Sequence, residues 1–242
     1  MELTIVAGRN AVYEALCGER SIDSIYLQKG GQVKGVEKIL ALAKKQGIVV
    51  KNVDSKKMDE MAPGINHQGV CALIAPIAFA SLEELFEKAE SKNEAPFFVL
   101  CDEILDPHNL GAIIRTAECA GAHGVIIPKR RSAPISGVVL KTSAGAVEHM
   151  PICKVGNISA CIDELKERGV WVYCADMDGE DYTKVNFGGG VALVVGSEGK
   201  GVSPLVKKNC DVVVSLPLKG KINSLNASVA AGILMYKIAE GR

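Results

Sequence analysis

Residues 96–127 read PFFVLCDEILDPHNLGAIIRTAECAGAHGVII, and this stretch decides the fold class. It opens with an apolar run from Phe97 to Cys101 and closes with a second apolar run from Gly124 to Ile127. Between them lies a polar turn followed by apolar residues at helical spacing. Near-continuous apolar strands separated by amphipathic helices are typical of a parallel sheet that helices cover on both faces. The stretch therefore predicts an α/β domain.

The same alternation continues to the C-terminus, so residues 96–242 are predicted to form one Rossmann-like domain around a parallel sheet. Its predicted strands cover residues 97–101, 124–127, 170–175, 191–195 and 212–216. Its predicted helices cover residues 110–120, 159–168, 204–208 and 225–239. In open parallel sheets, ligands bind beyond the carboxyl ends of the strands, so we expect ligand-binding residues in the loops at those ends.

Residues 1–76 have the pattern of a second, smaller α/β domain. Its predicted helices and strands cover residues 10–17, 24–28, 36–46, 48–50 and 70–74. Residues 77–95 are predicted to contain a linker helix, because the stretch 81–93 is acidic and helix-prone. Ser81 and Glu84 have the spacing of a capping box, which indicates where that helix begins.

Composition limits the class of protein. The 28 basic and 28 acidic residues cancel, which disfavours a strongly basic surface for nucleic acid but permits a local patch. None of the eight cysteines is spaced as C-x-x-C, so we expect free thiols in a reducing cytoplasm and no metal site. No apolar run approaches ~20 residues and no signal-peptide pattern opens the sequence, so we expect a cytoplasmic protein without a membrane partner.

The first of three unusual loops, residues 104–116, follows the strand that ends at Cys101. Asn109 is a candidate N-cap for the helix that follows. Gly111 lies one turn before Arg115, and a glycine inside a helix costs about 1 kcal/mol relative to alanine. Space for a ligand over Arg115 would explain that glycine; a surface arginine beside a packing glycine is the alternative.

The second loop, GSEGKGVSP at residues 196–204, directly follows a predicted strand. Its glycines suit tight turns and a close approach of the backbone to a ligand. It matches neither the phosphate-binding loop nor the dinucleotide fingerprint, and Glu198 would repel a pyrophosphate. A glycine-rich connector without a ligand is the alternative.

The third loop and the helix after it, residues 216–232, combine a helix start with small side chains. Ser224 is placed to cap the helix, whose first turns hold Ala227, Ser228, Ala230, Ala231 and Gly232. Small side chains allow close helix packing, and the helix N-terminus offers free amides to an anionic group. A C-terminal helix that only packs is the alternative.

Taken together, the three loops resemble the SpoU family of ribose 2′-O-methyltransferases, in the SPOUT superfamily. The matching residues are Asn109, Gly111, Arg115 and Thr116, then Gly196, Ser197, Glu198, Gly199 and Gly201, then Ser224 to Ala230. Residues 8–16 and 67–70 look like the substrate-binding domain of that family. Ala227 departs conservatively from the valine that is common at its position.

The resemblance implies a fold and a cofactor. The C-terminal domain would be tied in a deep trefoil knot, and the N-terminal domain would resemble an RNA-binding ribosomal-protein fold. S-adenosylmethionine would lie in the knot, and homodimers would build each active site at their interface. The residues implied to contact the cofactor are Gly196, Leu216 and Leu225, with Ser197, Gly199 and, from the region 141–146, Ala144.

The resemblance also implies a reaction, the 2′-O-methylation of a ribose in RNA. It favours a guanosine of 23S rRNA, while tRNA stays compatible. Arg115 is the usual candidate of that family for activating the 2′-hydroxyl. Since a guanidinium is not readily deprotonated, Arg115 would grip the neighbouring phosphate and lower the pKa of the 2′-hydroxyl. Arg115 would act as the base itself only if the site strongly lowered its own pKa. Glu198 would accept the proton or orient Arg115. Asn109, Ser224 and Asn226 would position these groups and the ribose.

Contacts to RNA are expected from basic residues, although charge runs are usually solvated faces. The candidates are Arg9, Lys129, Arg130, Arg131, Lys219 and Lys221. Two rival functions remain. A nicotinamide dehydrogenase would share the sheet pattern, but the glycine fingerprint after the first strand is missing. A non-catalytic RNA-binding or ribosome-assembly protein would share the fold, and the presence of Arg115, Glu198 and Asn226 together disfavours it.

Overall fold

The structure is a computed structural model that describes residues 4–18, 21–30, 35–75, 77–222 and 224–242. The chain divides into two compact units, Met1–Ala78 with Pro134–His149 and Phe79–Ala133 with Met150–Arg242. The sequence boundaries assign residues 134–149 to the C-terminal domain, whereas this segment packs within the first unit. There Lys141 Nζ donates a hydrogen bond to the carbonyl of Asn66, and His149 Nε2 lies 3.2 Å from Glu14 Oε2.

The first unit is built on a four-stranded sheet in the order β1-β4-β2-β3. Strands β1 and β2 are antiparallel to β4, and β2 is parallel to β3. Four predicted elements are present within two residues of their predicted ends: the helices at residues 10–17 and 36–46 and the strands at residues 24–28 and 70–74. The elements are β1 (Thr4–Ala7), α1 (Arg9–Cys17), β2 (Ile22–Gln28), α2 (Glu37–Lys45), β3 (Val49–Val53), α3 (Ser55–Met61) and β4 (Val70–Ile74).

The second unit is built on a six-stranded sheet whose neighbouring strands are all parallel. Its order is β10-β8-β9-β5-β6-β7, which confirms the predicted α/β class. Helix α6 (Gly137–Thr142) and a short 3₁₀ turn (Ala146–Glu148) belong to the first unit. The elements of the second are α4 (Leu82–Ser91), β5 (Phe97–Asp102), α5 (Pro107–Cys119), β6 (Gly124–Pro128), β7 (Ile152–Val155), α7 (Ile158–Glu167), β8 (Val170–Asp181), β9 (Gly190–Gly196), α8 (Pro204–Asn209), β10 (Val212–Ser215) and α9 (Ala227–Glu240).

Helix α4 is the helix that the sequence assigns to a linker, and it is packed into the core of the second unit. The capping box of Ser81 and Glu84 is present, as predicted. Leu85 and Phe86 are buried in a cluster that also contains Phe98. A Cβ on Gly124 would lie 2.3 Å from Leu85 Cγ, so the helix rests directly on β6. The helix therefore has an acidic face and an opposite apolar face, and the apolar face packs in the core of the second unit.

Two predicted helix starts are wrong. Helix α5 is capped by Asp106, whose side chain accepts from the amide of His108, with Pro107 in the first turn. Proline fits that position, so the helix begins before Asn109 and leaves its side chain free for other bonds. Helix α9 is capped by Asn226 and not by Ser224, because Asn226 Oδ1 accepts from the amides of Ser228 and Val229.

Candidate functional site

The three loops singled out in the sequence follow strands of one parallel sheet. Because parallel strands end at the same edge, the loops after β5, β9 and β10 emerge there together. Strand β9 pairs directly with β5, and β8 separates β9 from β10. The candidate site therefore lies at this edge of the sheet, within the second unit.

A polar cluster joins one residue from each loop. Asn109 Nδ2 donates a hydrogen bond of 3.0 Å to Glu198 Oε1. Asn226 Nδ2 donates to Asn109 Oδ1 at 2.9 Å and also to Glu198 Oε1. Asn109 is buried, while Glu198 and Asn226 are exposed. Two amides thus hold one carboxylate oxygen at the surface of the sheet edge.

Helix capping fixes the direction of the Asn226 amide. Its Oδ1 is occupied by the helix, accepting from the Ser228 amide at 3.0 Å, the Val229 amide at 3.3 Å and the Ser228 hydroxyl. Its Nδ2 is consequently turned towards Asn109 and Glu198. Helices α5 and α9 also pack closely, because a Cβ on Gly232 would lie 3.5 Å from Thr116 Cγ2.

A cavity of about 430 Å³ opens beside this cluster, and Glu198 and Ser224 are among the residues that line it. Five of the residues expected to contact a cofactor line it as well: Gly196, Ser197, Gly199, Leu216 and Leu225. Apolar side chains form much of the remaining wall: Met177, Val195, Val214, Leu218 and Leu234. The sixth expected residue, Ala144, lies after α6 in the first unit with φ +52°.

The glycine loop folds back tightly on the end of β9. The amide of Ser197 donates to the Gly201 carbonyl at 3.1 Å, and the Gly201 amide donates to the Ser197 carbonyl at 2.9 Å. A Cβ on Gly196 would lie 2.1 Å from the Gly201 carbonyl carbon, so only glycine fits there. Buried Asp102, which the sequence analysis missed, accepts from the Ser203 amide at 2.7 Å and ties this loop to β5.

A fourth segment, which no sequence motif indicated, also contributes to the cavity. Ala175, Asp176 and Met177 lie in β8 just beyond Cys174, the last residue that pairs with β9, and they line the cavity together with the glycine loop. No glycine or helix-cap pattern marks residues 175–177 in the sequence. The only signal is the strand order, because β8 lies between β9 and β10 and its carboxyl end must reach the same site.

Arg115 is exposed on α5 and is not among the residues that line the cavity. Its guanidinium forms no hydrogen bond or ion pair with any residue that the structure describes. Its guanidinium is consequently available to a partner outside this chain. The structure brings Asn109, Glu198 and Asn226 together, and no hydrogen bond among the described residues joins the Arg115 side chain to that cluster.

The basic residues proposed to bind RNA are spread over both units. Arg9 lines a second cavity of about 480 Å³ in the first unit, where its Nε donates to the Gln68 carbonyl at 3.3 Å. Arg131 pairs with Glu103 at 2.9 Å on the second unit. The remaining candidates on the second unit are exposed: Lys129, Arg130, Lys219 and Lys221.

Models of two protein families match the chain. The model described as the SpoU rRNA Methylase family matches residues 96–236. The chain belongs to the SpoU rRNA methylase family. The model described as RNA 2′-O ribose methyltransferase substrate binding matches residues 5–80 of this SpoU-family chain. The protein is therefore an RNA methyltransferase of the SpoU/TrmH type, as the three loops indicated.

Relatives of this SpoU-family protein match it over nearly its whole length. YacO of Bacillus subtilis (strain 168), named for the TrmH family of tRNA/rRNA methyltransferases, is 47% identical over 239 residues, 98% of this chain and 95% of YacO. A protein of Staphylococcus haemolyticus (strain JCSC1435) named for the same family is 43% identical over 243 residues, 100% of this chain and 97% of its own length. Both names leave the class of RNA open.

Solved structures show the same fold. The rRNA methyltransferase from Sinorhizobium meliloti, determined with AdoMet bound, has a TM-score of 0.78 and 25% identity over 98% of this chain and 87% of its own. The SpoU methyltransferase AviRb from Streptomyces viridochromogenes, in complex with the cofactor AdoMet, has a TM-score of 0.79 and 21% identity over 98% and 89%. The likeness to AviRb concerns the fold alone.

Two further observations concern membranes and metals. Across the ranges that the structure describes, no helix is both long and apolar enough to cross a bilayer. Over the same ranges, no group of three or more His, Cys, Asp or Glu side chains is arranged to hold a metal ion. All eight cysteines are free thiols, and five of them are buried.

Proposed function

We propose that this protein transfers the methyl group of S-adenosylmethionine to the 2′-hydroxyl of a ribose in RNA, a guanosine of 23S rRNA. The observation that supports the proposal most directly is the Glu198 carboxylate, held by the amides of Asn109 and Asn226 at the wall of the cavity. A methyl transfer to a hydroxyl needs a proton acceptor beside the methyl donor, and this arrangement offers one.

The cavity suits the cofactor. Its volume of about 430 Å³ falls in the range of small-molecule sites, roughly 300–1,000 Å³. Apolar walls favour an adenine ring, and the backbone at Gly196, Leu216 and Leu225 can hydrogen-bond to its edge. The cofactor supplies an activated methyl group on a sulfonium. Ala144 and a trefoil knot around the bound cofactor remain part of the proposal.

The protein residues would then act on the acceptor. A ribose 2′-hydroxyl is a weak acid, so a positioned base contributes on the order of 10²–10⁴-fold to such a reaction. Glu198 Oε1 is occupied by the two amides, which leaves Oε2 to receive the proton. Arg115 would bind the adjacent phosphate and stabilise the developing negative charge on oxygen. Ser224 would help to position the ribose.

We also propose that two copies of the chain assemble as a homodimer. Val229, Ile233 and Tyr236 are 50%, 39% and 53% exposed and follow helical spacing on α9, forming an apolar stripe. A second copy that covers this stripe would bury it. Because α9 packs against α5, the same contact would bring Arg115 of one chain towards the cavity of the other.

RNA would be held by the basic residues of both units: Arg9, Lys129, Arg130, Arg131, Lys219 and Lys221. The match of residues 5–80 to a substrate-binding domain supports this role for the first unit. tRNA is the second candidate substrate, since the relatives are named for tRNA and rRNA together. A cytoplasmic location follows from a substrate of either kind.

The test is incubation with radiolabelled S-adenosylmethionine and separate pools of unmodified rRNA and tRNA, followed by alkaline hydrolysis. A 2′-O-methylated ribose leaves an alkali-resistant dinucleotide, and we expect it in 23S rRNA with guanosine on its 5′ side. Label in tRNA alone would transfer the proposal to the second substrate. Stabilisation by NAD and not by S-adenosylmethionine in thermal unfolding, or cofactor binding without transfer to any RNA, would contradict the proposed reaction.

A further inference from the structure

Asp176 is a carboxylate in the wall of the cavity, and it lies in the segment that the sequence analysis missed. Its Oδ1 lies 3.0 Å from Lys207 Nζ on α8, and its side chain is 17% exposed. A Cβ on Gly201 would lie 3.5 Å from its Oδ2. Oδ2 has no hydrogen-bond partner among the residues that the structure describes, so this acceptor is available to a ligand.

Asp178 provides an internal comparison. It contacts the same Lys207 Nζ, at 3.4 Å, through its Oδ2. Its side chain is 84% exposed, and it is not among the residues that line the cavity. The two aspartates share their ion-pair partner and differ in whether they reach the cavity.

We propose that Asp176 binds the ribose hydroxyls of the cofactor and so selects adenosyl ligands with an intact diol. The proposal rests on the proposed function, because it assumes S-adenosylmethionine in this cavity. A ribose carries two adjacent hydroxyl donors, which match the free acceptor of a carboxylate. An acidic side chain beyond a strand end is the usual ribose acceptor of dinucleotide-binding sheets, where it serves the same chemistry.

The charge of Lys207 favours the hydroxyls over the cationic groups of the cofactor. Lys207 lies against Asp176, and the hydrogen bond to Asp176 raises the pKa of its ammonium, so this lysine stays protonated. The charge of Asp176 is therefore already compensated. A second cation at the same carboxylate would be repelled by Lys207, whereas a neutral hydroxyl would not.

The experiment measures the affinity of S-adenosylhomocysteine and 5′-methylthioadenosine by calorimetry, with the 2′-deoxy and 3′-deoxy forms of the second ligand. The proteins are the wild type, Asp176→Asn and the matched control Asp178→Asn. Losing a hydroxyl that binds a charged acceptor typically costs about tenfold or more in affinity. We expect Asp176→Asn to lower the affinity for both full ligands by about the same factor. Asp178→Asn should bind both with wild-type affinity.

The deoxy ligands make the test specific. The wild type should bind at least one deoxy form about tenfold more weakly than the full ligand, and Asp176→Asn should lose most of that difference. Equal discrimination in both proteins would overturn the proposal. The proposal would also be overturned if Asp176→Asn weakened the binding of S-adenosylhomocysteine but left the affinity for 5′-methylthioadenosine unchanged. An equal loss of affinity in Asp178→Asn would overturn it as well. A wild type that binds neither full ligand would instead refute the proposed cofactor.

Discussion

Arg115 is the residue whose proposed role depends most on its own geometry. Its planar fork can bind a phosphate in a bidentate manner, which a lysine cannot. Arg115→Ala is expected to lower kcat on the order of 10²-fold or more while cofactor affinity stays at the wild-type level, because Arg115 does not line the cavity. Single-turnover methyl transfer and calorimetry check both halves.

Arg115→Lys is the companion variant, since it keeps the charge and loses the fork. Activity well below that of the wild type is expected. Wild-type turnover in Arg115→Lys would remove the arginine-specific geometry from the mechanism. A large loss of cofactor affinity in Arg115→Ala would mean that the residue has a different role.

Asn226 has two roles that substitution can separate. Serine is also a good N-cap, so Asn226→Ser should keep the cap of α9 while removing the amide that holds Glu198. We expect a change of only a few tenths of a kcal/mol in the free energy of unfolding, together with a loss of kcat of about tenfold or more.

Asn226→Ala is the control, because it removes both roles and should also destabilise the protein by about 1 kcal/mol. Denaturant unfolding measures the stability of both variants. If Asn226→Ser kept full activity, the bond from Asn226 to Glu198 would have no part in the reaction.

The element that decides the cavity is the glycine loop after β9. A Cβ on Gly196 would meet backbone atoms of Gly201 and Val202, which cannot rotate away as a side-chain tip could. Gly196→Ala is therefore expected to cost about 3 kcal/mol or more and to abolish cofactor binding.

Gly156→Ala provides the matched control for this loop, since a Cβ there would have nothing within 4 Å. It should leave the free energy of unfolding within about 0.5 kcal/mol of wild type and binding intact. Equal stability of the two variants in urea would mean that the loop can open to admit a methyl group.

Element positions in the second unit were largely predictable from the sequence, while the use of individual side chains was not. The apolar run at residues 97–101 forms β5, as predicted, because a strand that is buried on both faces is recognisable as a continuous run of apolar residues. The start of α5 was misplaced, because Asp106 and Asn109 are both good caps and only the proline at 107 distinguishes them. The acidic stretch at residues 81–93 predicts a linker helix, whereas Leu85 and Phe86 on its other face are buried in the core.

At the scale of the whole molecule, the apolar stripe on α9 predicts association. Ile233→Glu places a charge in the middle of the stripe, so we expect the dissociation constant of the homodimer to rise at least about tenfold. Trp171→Glu is the control, because Trp171 is also exposed, at 55%, but lies at the start of β8. Analytical ultracentrifugation of the three proteins measures the effect. A monomeric wild type would refute the proposed assembly.

His123 predicts how the stability of the second unit depends on pH. Burial lowers the pKa of His123, whose Nδ1 accepts from the Phe97 amide at 3.0 Å. The unfolded chain therefore takes up a proton at this histidine more readily than the folded one. The free energy of unfolding is consequently at its full value above about pH 6.5 and decreases as the pH falls below it. His123→Asn keeps an acceptor near that amide and should show a smaller drop in Tm between pH 7.5 and 5.5. An identical drop in both proteins would assign the pH dependence to other groups.

The sequence by itself determined the α/β class, the positions of most strands, and the three loops that carry the family resemblance. These features are local: apolar runs, helical spacing and turn residues act over a few neighbours along the chain. Only the tertiary structure decided that the amides of Asn109 and Asn226 meet at Glu198, that residues 134–149 pack with the first unit, and that Asp176 reaches the cavity. Each of these depends on the order of strands in the sheet or on a partner distant in sequence, and such pairings leave no periodic signal in the residues that make them.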